Sequence, residues 1–101
     1  MVSLPTADAI TFTYGNGSRK IAVFEDPNCG YCRRFEADLA KVKNVTVHVF
    51  LYPILGEDSL AKSQAIWCAK DRAKAWHDWM QRQVPPPAAQ CDTSAIARNV
   101  E

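Results

Sequence analysis

The sequence predicts a single α/β domain, and three observations carry that prediction. Apolar runs of strand period lie on both sides of a short amphipathic helix, two cysteines stand where the chain passes from strand to helix, and from Gly56 onward the periodicity is helical. At 101 residues the chain can bury one modest core. Twelve Lys and Arg face eleven Asp and Glu, spread along the whole length for a net charge of +1. That balance offers no patch for nucleic acid and no polybasic membrane anchor. Apolar runs such as residues 45–55 fall short of the roughly 20 residues a membrane span needs. No cofactor is expected, and partners must be sought at the site itself.

Ile10, Phe12 and Tyr14 alternate with Thr11 and Thr13, the period of a half-buried strand. Gly15-Asn16-Gly17-Ser18 tolerates positive φ and predicts a hairpin turn into the next strand. Ile21-Ala22-Val23-Phe24 lacks polar alternation and reads as a central strand covered on both faces. Asp26-Pro27-Asn28 ends it, because proline has no ladder donor and asparagine suits the position before a helix. The helix beginning at the cysteines is expected to pack through Tyr31, Phe35, Leu39 and Val42. Residues 45–52 form a third strand with Val45, Val47, Val49 and Leu51 on one face, and the strand–helix–strand order favours a right-handed crossover and a parallel pair. Gly56 to Ser59 starts either one long helix or two short ones with a break near Lys70-Asp71. Pro85-Pro86-Pro87 is an extended connector, and Cys91-Asp92-Thr93 caps a last helix to about Val100.

The chemistry concentrates in Cys29-Gly30-Tyr31-Cys32. With Cys29 at the helix start, Cys32 lies one turn on, and the i, i+3 spacing puts both sulfurs on one face within bonding reach. Unpaired N–H groups and the positive end of the helix dipole favour Cys29 as a thiolate, so Cys29 is the candidate nucleophile and Cys32 the resolving thiol. Gly30 and Tyr31 line the site. A structural zinc site completed by Cys68 and Cys91 is the competing reading, but the second pair is split by 22 residues containing a long helix, and no metal is expected. Cys68 is either a small apolar residue with Cys91 a loop thiol, or the two form a disulfide. The even cysteine count and the proline-rich return between them favour the bond, which persists only in an oxidising compartment.

His48 and His77 stand alone and read as a strand-face and a helix-surface residue. Trp67, Trp76 and Trp79 read as core and boundary packing rather than a peptide-binding strip. Glu25 and Asp26 lie near enough to Cys29 to accept a proton or to oppose a thiolate; ordinary solvation at a strand end is the expected reading.

The run Phe24-Glu25-Asp26-Pro27-Asn28-Cys29-Gly30-Tyr31-Cys32, the block Ala65-Ile66-Trp67-Cys68-Ala69-Lys70-Asp71 and Cys91-Asp92 resemble the DsbC/DsbG family of periplasmic thiol:disulfide interchange proteins. The resemblance runs from about Ile10 to the end. It implies disulfide exchange with exported proteins and a redox partner protein, with Cys29 attacking, Cys32 resolving and Cys68 bonded to Cys91. It also implies a thioredoxin-like fold for residues 1–101, with residues 58–101 as a helical insertion. Family members continue into a cis-proline loop, two strands and a helix, and isomerases carry an N-terminal dimerisation domain. The expected architecture is therefore an incomplete thioredoxin-like domain: β-hairpin, helix, strand and helical insertion, the C-terminal strands and cis-proline loop absent. An open sheet edge in such a domain invites a homo-oligomer.

Overall fold

Val45, Val47, Val49 and Leu51 all point to one face of a strand and are at most 2 % exposed, and the molecule is assembled around them. The computed structural model describes residues 5–101; residues 1–4, within the expected domain span, lie outside the described residues. A 3-10 turn (Thr6–Asp8) precedes β1 (Ile10–Tyr14), β2 (Arg19–Glu25), α1 (Gly30–Leu39), β3 (Val45–Leu51), α2 (Glu57–Trp67), α3 (Arg72–Arg82) and α4 (Ser94–Val100). The expected α/β order is present. The helical stretch after Gly56 is two helices, because the Asp71 side chain accepts the Lys74 N–H and opens a new one.

The sheet order is β1-β3-β2, with β3 antiparallel to β1 and parallel to β2. This corrects the expected β1–β2 hairpin. The crossover through α1 lays β3 directly against β2, and β1 takes the far side of β3, where Ile10 and Phe12 oppose Val49 and Val47. The turn at residues 15–18 must then cross the start of β3, about two strand spacings or ~10 Å. Asn16 N–H donates to Asn44 Oδ1, Arg19 N–H donates to the Asn44 carbonyl, and Thr46 Oγ1 donates to the Gly17 carbonyl. Gly17 has φ +68°, and a Cβ there would lie 2.4 Å from Thr46 Oγ1, so the crossing requires glycine.

β2 is consequently an edge strand, not a central one. Ile21 and Val23 are half-buried under α1, while Ala22 and Phe24 on the other face are exposed. Alternation was concealed because the outward positions also carry apolar side chains. The core gathers Ile10, Phe12, the β3 valines, Leu39, Ile66, Trp67, Trp76, Met80 and Ile96. Trp76 and Trp67 are buried and Trp79 packs at the boundary, as expected. His77 differs from the surface position expected of it. Its ring lies 4.4 Å from that of Phe12, and its Nε2 is 3.3 Å from the Tyr14 hydroxyl, which places it between α3 and β1.

α4 closes the end of β3. Asn99 Nδ2 donates to the Leu51 carbonyl at 3.2 Å, and Arg98 makes two bonds to the Asp8 carboxylate, at 2.7 and 2.8 Å. No helix among the described residues is long and apolar enough to cross a membrane.

Candidate active site

β2 delivers the chain to α1 through Asp26-Pro27-Asn28, and Cys29 is the N-cap of that helix. The Cys29 sulfur accepts the Cys32 N–H at 3.2 Å, occupying the place a serine or aspartate oxygen usually fills in a helix cap. Both cysteines are free thiols of intermediate exposure, one turn apart. Gly30 is exposed, with nothing near the position of a Cβ, and the Tyr31 side chain is 81 % exposed beside the pair.

Tyr31 was expected to pack inward. The buried line of α1 is instead Cys32, Glu36 and Leu39, with Tyr31 and Phe35 outside. The helix is rotated from the apolar stripe, and a glutamate goes inward in the place of a phenylalanine. Glu36 is a buried, site-proximal residue that the sequence does not single out. Its one signal was its position four residues after Cys32, on the same helix face.

The two thiols are not equivalent. Burial pushes the Cys32 thiol up to about 12, and the hydrogen bond with the Cys29 sulfur pushes in the same direction; the Asp26 backbone opposes them. Cys32 is therefore held as a protonated thiol, while Cys29 stands at the helix N-terminus with an N–H directed at its sulfur.

The neighbouring acids are not solvated, which corrects the expected strand-end reading. Asp26 is 5 % exposed and accepts four hydrogen bonds: from Asn28 N–H and Ser59 Oγ–H, both at 2.7 Å, and from the N–H groups of Ile54 (2.8 Å) and Leu55 (2.9 Å). Its carbonyl accepts the Cys29 N–H at 3.1 Å. One carboxylate thus binds the cysteine loop, the loop after β3 and the start of α2. Trp79 Nε1 donates to the Pro27 carbonyl at 2.6 Å and ties α3 to the same loop. Glu25 is 3 % exposed and its carboxyl oxygens have no partner.

Cys68, at the end of α2, is bonded to Cys91 with a Cα separation of 5.5 Å across 23 residues. A four-thiolate zinc site would need both sulfurs free. Among the described residues no three His, Cys, Asp or Glu side chains are grouped to hold a metal. His48 accepts or donates one hydrogen bond with Thr11 across β1–β3, on the far sheet face from the cysteines' supporting core.

Residues 7–101 match the thioredoxin-like domain family. A probable thiol:disulfide interchange protein DsbC of Bordetella pertussis is 54% identical over 89 residues, which cover 88% of this chain and 32% of that protein. The thiol:disulfide interchange protein DsbC of Escherichia coli is 41% identical over 76 residues, covering 71% of this chain and 32% of its relative. The chain spans about a third of the length of these relatives. A crystal structure of a disulfide interchange protein from Neisseria gonorrhoeae superposes with a TM-score of 0.89 at 41% identity, covering 95% of this chain and 70% of that one.

Proposed function

The chain belongs to the thioredoxin-like domain family, and on that premise we propose that it exchanges disulfides with exported proteins through Cys29 and Cys32. The observation that carries the reading is the inequality of two thiols one helical turn apart, one capping the helix and one held protonated beneath it. Cys29 attacks a sulfur of the partner's disulfide, a mixed disulfide forms, and the partner's other sulfur leaves as a thiolate. Cys32 then gives up its proton and attacks the Cys29 sulfur, which closes the Cys29–Cys32 bond and releases the second partner thiol. The reverse sequence reduces the pair, so a redox partner protein completes the cycle.

Identity to proteins named for thiol:disulfide interchange supports the same chemistry. The Cys68–Cys91 bond acts as a structural clamp and supports an oxidising compartment, the periplasm, as the place of work. The free edge of β2, with Phe24 half exposed, supports self-association as a further property of this domain.

The test is trapping. Cys32→Ala is expected to accumulate covalent complexes with disulfide-bearing proteins, resolved by reducing electrophoresis, and Cys29→Ala to form none. Undiminished exchange by the Cys29→Ala protein would refute the assignment.

A further inference from the structure

The two residues that follow Cys32 are both arginines, and the fold treats them differently from the other four in the chain. Arg19 donates to the Lys43 carbonyl, Arg72 donates to the Trp67 carbonyl, Arg82 pairs with Asp78, and Arg98 pairs with Asp8. Among the described residues no carboxylate pairs with Arg33 or Arg34, and Arg33 Nε is enclosed without an acceptor. Each guanidinium lies instead on an aromatic ring. The Arg33 guanidinium carbon is 5.0 Å from the centroid of Trp79, and that of Arg34 is 5.7 Å from the centroid of Tyr31. A ring face attracts a cation but does not neutralise it. Trp79 is a fixed seat, since its N–H is held by the Pro27 carbonyl at 2.6 Å, and it also carries the Lys62 ammonium at 4.7 Å. Two cations thus share one ring. The exposed acid beside them, Asp58, is committed to Lys62 and to the Asn28 amide, which leaves Arg33 uncompensated.

Helix geometry places both cations at the thiols. The Arg33 N–H donates to the Cys29 carbonyl at 3.2 Å, so Arg33 stands one turn beyond the nucleophile on the same side of α1. Long side chains on a helix lean toward its N-terminus, which here is the end that carries the cysteines. The two rings that seat the guanidiniums flank that end as well, Tyr31 inside the Cys29–Cys32 turn and Trp79 bound to the loop before it.

We propose that Arg33 and Arg34 form a cationic rim that selects, for exchange at Cys29, partner disulfides flanked by aspartate or glutamate. The inference rests on the exchange reading above and adds to it a class of substrate. A partner carboxylate near its half-cystine meets two guanidiniums already seated on rings, so little side-chain freedom is lost when the ion pairs form. Arg33 is half-buried, and an ion pair there is screened less than one on the open surface. A disulfide flanked by lysine meets like charge and is disfavoured. The rim takes no part in the bond changes; it decides which disulfide reaches Cys29.

Two peptides that differ only in the residues beside one disulfide, glutamate in the first and glutamine in the second, test this with the whole chain in its dithiol form. The glutamate peptide is expected to be reduced about tenfold faster at low salt, with the preference shrinking as salt is added. The ratio of the two rates should fall toward unity in Arg33→Gln/Arg34→Gln and survive in Arg33→Lys/Arg34→Lys. Arg19→Gln, the same loss of charge at the opposite end of β2, should keep the parent ratio. Arg34→Gln alone, at an exposed position, should lose part of the preference and serves if the double variant does not fold. A parent chain without the preference, or a preference that neither salt nor the folded glutamine variants reduce, would overturn the proposal. Alkylation of Cys29 separates the rim from exchange: the rate with anionic iodoacetate relative to neutral iodoacetamide should be higher in the parent than in Arg33→Gln/Arg34→Gln. That difference in a chain that reduces neither peptide would remove the exchange reading and leave the rim standing, whereas exchange of both peptides at equal rates would keep the exchange reading and remove the rim.

Discussion

Glu25 and Asp26 are adjacent, similarly buried and oppositely treated by the fold. Asp26 exchanges water for four donors inside the protein. Glu25 receives none and must keep a proton. Because its folded pKa of about 10 lies above the unfolded value near 4.3, the stability this proton confers is complete below pH ~4.3 and is lost as pH rises toward 10. At neutral pH the cost is on the order of 3 kcal/mol. Glu25→Gln, which carries its own donor, should therefore match the parent chain in urea unfolding near pH 4 and exceed it by roughly 1–3 kcal/mol near pH 8. Parallel stability curves for the two proteins would sink this account. None of the contrast is legible in the string Glu25-Asp26-Pro27-Asn28, since the groups that bury and satisfy one acid and only bury the other, Ile54, Leu55, Ser59, Glu36, arrive from 11 to 33 residues away in the chain.

At the scale of elements, what sequence period specifies and what pairing decides are separable. The helix start at Cys29 and the inward face of β3 were legible because each follows from local rules: capping, dipole and period-two alternation. The neighbour of β1 and the rotation of α1 were not. Both depend on tertiary packing: where the crossover deposits β3, and which face of α1 meets the sheet and α3. The joint of this region is Asp26, binding the cysteine loop at the end of β2, the loop after β3 and α2. Asp26→Ala removes a charged acceptor from four donors at once, and roughly 3 kcal/mol or more of stability should go with it. Amide exchange at Ile54 and Leu55 should accelerate together with that at Cys29. Acceleration confined to Ile54 and Leu55, leaving Cys29 unchanged, would show that the loops are not mechanically joined through this carboxylate.

Across the whole molecule, the redox pair depends on helices that are distant in sequence. Trp79 holds the Pro27 carbonyl, Trp76 holds Glu36, and both lie on α3, between the two half-cystines Cys68 and Cys91. The segment from Glu57 to Val100 is thus part of the floor and wall of the site. A bond across 23 residues restricts the unfolded chain by about 3 kcal/mol in the loop-entropy treatment, a large share of the roughly 5–15 kcal/mol that holds a small domain together. Removing both sulfurs, Cys68→Ala with Cys91→Ala, is therefore expected to lower unfolding stability by about 2–4 kcal/mol. It should also loosen α3, so that the indole N–H signals of Trp76 and Trp79 lose protection from exchange and alkylation of the otherwise protonated Cys32 quickens. If stability falls while Cys32 alkylation and both indoles stay unchanged, the disulfide acts on the unfolded chain alone and the site is supported by packing of α3 against α1 and β1 without its help.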